Sequence, residues 1–224
     1  MSRARVVCHA ISLAACALAV MPGAAAAQGQ FEGIITFKTA AGGGPEQNVQ
    51  YSVKGTKIRM DMTVGPGMQV YSLFDGDTKT MDMVLPQRNM YMEQSVDAAQ
   101  AQQNAAPQKK ADIQWTGKKE TIAGYECEHA TITDDTGGQT DVCIAKGLGT
   151  FMSMGRGGMG GMRRGGPPQG GGWESHVQGG FPLKVQKGGD VIMEVTSIEK
   201  KSLDASLFTI PSGFQKMGMP MGRP

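Results

Sequence analysis

The chain has 224 residues, 19% of them charged, and a formal net charge of +2 at pH 7. This length suits one domain with a real core, or one domain with flexible ends. A charge so close to zero provides no general attraction for nucleic acid, so we expect no partner of that class.

The chain begins with the features of an export signal. Arg3 and Arg5 supply a basic start, and a run of apolar and small residues follows as far as the helix breaker Pro22. An Ala-x-Ala triplet ending at Ala27 offers a signal peptidase the small side chains that it accepts. The mature protein is therefore predicted to begin at Gln28 in the periplasm, and the leader is too short to be a membrane span.

A lipoprotein signal is the alternative interpretation of the same segment. Leu13-Ala-Ala-Cys16 resembles a bacterial lipobox, which would place a lipid on Cys16. The residues after Cys16 are apolar and do not form a polar tether, so ordinary cleavage after Ala27 is favoured.

Short strands fill most of the chain that follows. Apolar residues alternate with a period of two from Phe31 to Phe37, from Val49 to Val53 and from Ile58 to Met62, and similar runs continue to Met92. Segments rich in glycine and proline separate these runs. The pattern predicts a mainly β protein built on an antiparallel sheet.

Two stretches depart from this pattern. Residues 94–106 are rich in Ala and Gln and predict one exposed amphipathic helix. Residues 150–172 contain so much glycine that burial could not offset their ordering entropy, and they are predicted to be a disordered loop. The segment from Leu203 to Phe214 is predicted to be a short apolar turn. We expect a single domain over residues 28–214 and a flexible tail over 215–224.

Residues 124–145 predict a β-hairpin with a turn centred near Asp135. With that centre, Cys127 and Cys143 lie opposite each other on one face. They are the only cysteines left after export, so a disulfide is expected in an oxidising compartment. The alternative is two separate buried thiols. A redox-active pair or a zinc site is disfavoured because the spacing is wrong and no further Cys or paired His is available.

A series of structural motifs runs through the mature chain. They are turn glycines, a hairpin cysteine and a closing Phe-x-Ile-Pro-x-Gly-Phe, and they lie at Phe31-Glu-Gly-Ile-Ile35, Lys54-Gly-Thr-Lys-Ile-Arg-Met60, Ile122-Ala-Gly-Tyr-Glu-Cys127, Ile144-Ala-Lys-Gly-Leu148, Phe181-Pro-Leu183 and Leu203 to Phe214. Their order resembles an envelope family known as domain of unknown function 4412. That family is similar to the half-open β-barrels of the lipoprotein carriers LolA and LolB. The resemblance implies a sheet curled into an unclosed half-barrel with one or two short helices, and it carries over no functional residue.

Six methionines form Met-x-Met pairs on predicted strands. The pairs are Met60 and Met62, Met81 and Met83, and Met90 and Met92. Alternate residues of a strand point to one face, so each pair is either core or the wall of an apolar cavity. Our first functional hypothesis is a monomeric envelope protein that binds an apolar ligand or a partner segment, lipid-like or lipoprotein-like, in a concave sheet.

A second group of methionines lies in the predicted loop and tail, where no core is expected. Its members are Met152, Met154, Met159, Met162, Met217, Met219 and Met221. Thioether sulfur is a soft ligand, so a periplasmic copper-binding protein is the second hypothesis, with His176 as an added donor. Otherwise no cofactor is expected. The third hypothesis is a structural or assembly partner without a small ligand.

The sequence offers little support for catalysis. The mature chain has His129 and His176 as its only histidines, and it lacks metalloprotease, nucleophile-elbow, P-loop and dinucleotide-binding motifs. His129 is predicted to be a cross-strand partner on the face that carries Cys127. We therefore expect no enzymatic activity.

Overall fold

The computed structural model describes residues 30–40, 46–64, 67–97, 112–134, 137–152, 173–177 and 179–218. The strands in these ranges are β1 (Gly33–Thr39), β2 (Gln47–Lys54), β3 (Lys57–Val64), β4 (Met68–Asp75), β5 (Thr80–Leu85), β6 (Met90–Ser95), β7 (Asp112–Ile122), β8 (Tyr125–Thr133), β9 (Gln139–Ala145), β10 (Phe181–Lys187), β11 (Asp190–Lys200) and β12 (Gln215–Lys216). Three short 3₁₀ helices accompany them in the same ranges, at Pro86–Arg88, Trp173–His176 and Ala205–Phe208. Among the described residues, none of the helical segments has the length and apolar character needed to cross a membrane.

All twelve strands belong to one sheet, in the order β12-β6-β5-β4-β3-β2-β1-β11-β10-β9-β8-β7. Neighbours are antiparallel except for the parallel pair of β12 and β6. In the described part of the chain, β12 and β7 are the two edges, so the sheet does not close into a barrel. The predicted mainly β, unclosed half-barrel is confirmed.

The curvature of the sheet gives it an inner face. Tyr51 on β2 and Phe181 on β10 are three strand spacings apart, which is about 14 Å in a flat sheet. Their ring centroids are nevertheless 5.3 Å apart. Phe151, which follows β9, packs between them, with centroid distances of 6.2 Å to Tyr51 and 5.3 Å to Phe181. The face that carries these rings is therefore concave.

The main core lies on this inner face, because period-two strands direct every second apolar side chain into it. Tyr51 is fully buried and its hydroxyl is satisfied: it donates to the Thr150 carbonyl at 2.9 Å and accepts from the Met152 N–H at 3.0 Å. Burial raises the pKa of this hydroxyl. The predicted disordered loop is thus wrong for residues 150–152, because Tyr51 and the ring of Phe151 hold them in the core. The loop's remainder, residues 153–172, lies outside the described residues.

Two other predicted boundaries differ from the structure. The predicted helix over residues 94–106 starts too early, because β6 continues to Ser95, which pairs with Thr80; residues 96–97 are helical, and the rest of that prediction lies outside the described residues. The predicted tail is held at its start by two hydrogen bonds, from the Gln215 N–H to the Asn89 carbonyl at 2.8 Å and from the Met217 N–H to the Tyr91 carbonyl at 2.7 Å. The predicted signal peptide, residues 1–27, also lies outside the described residues.

The predicted hairpin is present, with its register displaced by two residues. The backbone of Asp134 bonds to Gly138, and its carboxylate also accepts from the Gly138 N–H at 2.8 Å. This closure centres the hairpin at position 136, so Cys143 lies opposite His129 instead of Cys127. The expected disulfide between Cys127 and Cys143 is confirmed as a diagonal link, with the two Cα atoms 5.3 Å apart.

Candidate functional site

The predicted methionine pairs meet in one row across the inner face. Met60 lies opposite Tyr51, whose ring is in the inner core. The row then passes from Met60 to Ser72 on β4 and from Ser72 to Met83 on β5. Met83 in turn lies opposite Met92 on β6. Directly paired residues of antiparallel strands share a face, so Met60, Met83 and Met92 project to the same side.

The other three methionines lie on the same face, two residues from members of this row: Met62 on β3, Met81 on β5 and Met90 on β6. Met60 is buried and Met62 packs against the core. The four methionines on β5 and β6 are half-buried and belong to neither apolar cluster formed by the described residues. The methionine side chains therefore continue from the core toward one edge of the sheet. In the described part of the chain, the four on β5 and β6 are not packed into an apolar cluster.

A second apolar strip lies on the same face at the opposite edge. Val142 on β9 pairs with Val185 of the inner core and with Ala130 on β8. Trp115 on β7 lies opposite Ala130, and Ile113 lies opposite Ile132. Trp115 is 53% exposed and Ile113 is 37% exposed. Local sequence could not show that β7 is an edge strand with exposed side chains on the concave side.

The outer face of β3 to β6 is covered by the end of the chain. Tyr71, Leu73 and Val84 form a small core beneath Ile210 and Phe214. Arg59 lies 3.9 Å above the Tyr71 ring and binds the Asp61 carboxylate through two nitrogens, at 2.8 and 2.7 Å. The hydrogen bonds to Asp61 raise the pKa of Arg59 more than burial lowers it.

A pocket of about 820 Å³ lies on this outer side. Its lining includes Asn48, Gln50, Arg59, Asp61, Gln69 and Phe214. Of the six predicted cavity methionines, only Met62 touches it. The pocket has a mixed polar and apolar lining, and Met60, Met83 and Met92 are not part of it.

A compact polar cluster surrounds His129 on the outer face, beside the disulfide. His129 is 2% exposed; its Nδ1 lies 2.6 Å from Asp141 Oδ1 and its Nε2 lies 3.1 Å from Glu120 Oε2. Lys184 donates to Glu120 Oε1 at 3.3 Å. Burial acts to raise the pKa of Glu120, but the hydrogen bonds from Lys184 and His129 outweigh it and leave the pKa lowered. Sequence reasoning assigned only His129 to this place, because its three partners come from other strands.

The copper hypothesis depends on residues that are mostly outside the described chain. Met152 is half-buried against the inner core, which differs from its predicted place in a loop with no core. Met217 is half-buried next to β12. The backbone of His176 closes a 3₁₀ helix. The other candidate ligands, Met154, Met159, Met162, Met219 and Met221, lie outside the described residues, so the copper hypothesis stays a prediction.

Comparison with known families gives a match over residues 31–214 to a family model described as "Domain of unknown function (DUF4412)". No curated protein matches the chain by sequence.

Three solved structures resemble the chain at low sequence identity. An uncharacterized conserved protein from Thermus thermophilus has a TM-score of 0.50 and 11% identity, with 85% of this chain and 91% of that chain covered. PNGF-II has a TM-score of 0.46 and 16% identity, with 82% of this chain and 30% of that chain covered. MucB has a TM-score of 0.38 and 13% identity, with 81% of this chain and 57% of that chain covered. The first of these likenesses concerns the fold alone, and the other two are too distant to support an argument.

Proposed function

This chain belongs to the DUF4412 family, and we propose that it is a non-enzymatic protein of the bacterial envelope that holds an apolar ligand against the inner face of its sheet. The observation that carries the proposal is the row of methionines on that face. It runs from the closed core, across Ser72 on β4, to half-buried positions on β5 and β6. A chain that only needed a core would gain nothing from extending apolar side chains beyond it.

The dimensions and chemistry of the row favour an extended apolar chain. From Met60 to Met92 the row crosses three strand spacings, about 14 Å. Thioether side chains are unbranched and polarizable, so they adapt to a ligand that lacks a fixed shape. A ligand that covers one half-buried methionine gains roughly 1 kcal/mol of binding free energy, since full burial of such a side chain is worth about 1.5–3 kcal/mol. A lipid-like acyl chain, or an apolar segment of a partner protein, meets these requirements.

The exposed Trp115 and Ile113 extend this proposal to the other edge of the sheet. Consecutive strands β6 and β7 lie at or beside opposite edges, so the half-barrel opens between them. Apolar side chains on the inner face at both sides of the opening suit a ligand that enters there. Trp115 would then change its surroundings on binding, whereas Trp173 is buried against Phe151 at a centroid distance of 5.8 Å.

Quenching by a fatty acid brominated along its chain tests this directly, because bromine quenches tryptophan only at close range. We expect saturable quenching of the wild-type protein. Trp173→Phe should retain the quenching and Trp115→Phe should lose most of it. Absence of saturable quenching, or equal quenching in the Trp115→Phe variant, would rule out binding at this opening.

We also propose that the protein acts in the periplasm after cleavage behind Ala27. The basic start, the apolar run and the Ala-x-Ala triplet support this placement. The intact mass of protein recovered from the producing bacterium is expected to correspond to a chain that starts at Gln28. A mass that includes a lipid on Cys16 would instead assign the protein to a membrane surface.

A further inference from the structure

The hairpin disulfide lies inside a set of side chains that are common zinc ligands. One ligand atom each from Glu120, His129 and Cys143 lie within 4.8 Å of one another. Cys127, bonded to Cys143, lies opposite Glu120 on β7. Two thiolates, one imidazole and one carboxylate make a four-ligand set of the kind that Zn²⁺ binds. Spacing along the chain does not show this set, because Glu120 comes from a separate strand.

The spacing of these atoms is close to what a tetrahedral ion needs. Ligand bonds of about 2.0–2.3 Å place neighbouring ligand atoms roughly 3.3–3.8 Å apart. His129 Nε2 is already 3.1 Å from Glu120 Oε2. While the two sulfurs are bonded to each other they are too close together to act as separate ligands, so the disulfide itself blocks the site.

The imidazole is already oriented for metal binding through Nε2. Asp141 Oδ1 lies 2.6 Å from Nδ1 and holds that side of the ring, so that Nε2 faces Glu120, 3.1 Å from its Oε2. A carboxylate behind a ligating histidine is a recurrent feature of zinc sites, where it fixes the ring and raises its basicity.

We propose that reduction of the Cys127–Cys143 disulfide by a dithiol creates a Zn²⁺ site with Cys127, Cys143, His129 and Glu120 as ligands. The disulfide takes up two electrons and two protons from the dithiol, which is itself oxidised to a disulfide. Zn²⁺ then displaces the two thiol protons and the proton of the hydrogen bond between His129 Nε2 and Glu120 Oε2, and all three pass to solvent. This site is independent of the proposed ligand surface, because it lies on the outer face.

Lys184 gives the cluster a way to adapt to the ion. Its Nζ is 3.3 Å from Glu120 Oε1 and 3.9 Å from Glu194 Oε1. When Zn²⁺ binds Glu120, the ammonium group can pair with Glu194 without leaving the cluster. Glu120 is one-third exposed, which provides a path for the ion.

Cobalt(II) is a suitable probe, because cobalt bound to thiolate absorbs in the near ultraviolet. The mature chain from Gln28, in which Cys127 and Cys143 are the only cysteines, is reduced with dithiothreitol and freed from reductant by gel filtration without oxygen. It is then titrated with Co²⁺ and afterwards with Zn²⁺. We expect thiolate–cobalt absorption that saturates at one equivalent and is abolished by Zn²⁺. The disulfide form should show none. Absence of this absorption in the reduced protein would overturn the proposal.

A matched pair of variants separates an assembled site from loose binding to two cysteines. Asp141→Asn should weaken Co²⁺ and Zn²⁺ binding by about 10–100-fold, as expected for a carboxylate behind a ligating histidine. Glu126→Gln, at an exposed position on the same strand as His129, should leave affinity unchanged. Equal affinity of the Asp141→Asn variant and wild type would contradict the site. If reduction alone unfolds the protein, Zn²⁺ should restore its β-sheet circular dichroism, and failure to do so would equally contradict it.

Discussion

Replacing Met83 and Met92 together by glutamate is expected to weaken binding of an apolar ligand by at least about 100-fold. The two side chains lie directly opposite each other on β5 and β6, and both are half-buried. In the free protein their carboxylates would keep part of their hydration. A ligand lying over them would remove it, and a cost of only about 1.4 kcal/mol for each charge already gives that factor.

The matched control adds the same two charges to the same two strands on the outer face. Thr80 and Ser95 are also directly paired. Each lies an odd number of residues from the methionines of its strand, so both project to the opposite face. Affinity for the brominated fatty acid, measured by titration, should be unchanged in the Thr80→Glu/Ser95→Glu variant. An equal loss in both variants would indicate a general effect of charge, and unchanged affinity in the methionine variant would remove the inner face as the binding surface.

Replacing Cys127 and Cys143 together by serine is expected to lower the free energy of unfolding by about 3 kcal/mol. The bond closes a loop with a sequence separation of 16 residues, and that value is the entropy such a link removes from the unfolded chain. Urea unfolding of both proteins, with and without reductant, measures the difference. Most native domains have a free energy of unfolding of about 5–15 kcal/mol, so a variant that loses about 3 kcal/mol should still fold.

Reductant supplies the internal control for this experiment. Wild-type protein should lose the same free energy when its disulfide is reduced, whereas the serine variant should not respond. A variant as stable as the oxidised wild type would show that the link constrains little.

Much of the fold follows from local patterns. Period-two alternation identified the inward face of the Met-x-Met pairs before any pairing of strands was known, because alternate residues of a strand point to one side. The hairpin and its disulfide were predicted from turn composition and export. The register was displaced by two residues, because closure between Asp134 and Gly138 depends on hydrogen bonds that composition does not specify. The family resemblance supplied the half-barrel, and the family match over residues 31–214 agrees with it.

The features that could not be predicted depend on contacts between distant segments. Trp115 became part of the candidate site only when β7 proved to be an edge of the sheet, with its inner face open. The cluster around His129 draws Glu120, Asp141 and Lys184 from three other strands. Met152 was assigned to a loop because glycine dominates its surroundings, whereas the hydroxyl of Tyr51 holds its backbone against the core.

Native mass spectrometry of protein gently extracted from its own cell envelope tests the central claim most directly. The wild-type protein is expected to retain one apolar molecule, visible as a discrete mass above that of the polypeptide and lost on denaturation. The Met83→Glu/Met92→Glu variant should emerge without it, while the Thr80→Glu/Ser95→Glu control should retain it. A wild-type spectrum with the bare polypeptide alone, or an adduct that persists in the methionine variant, would contradict binding of an apolar ligand on the inner face.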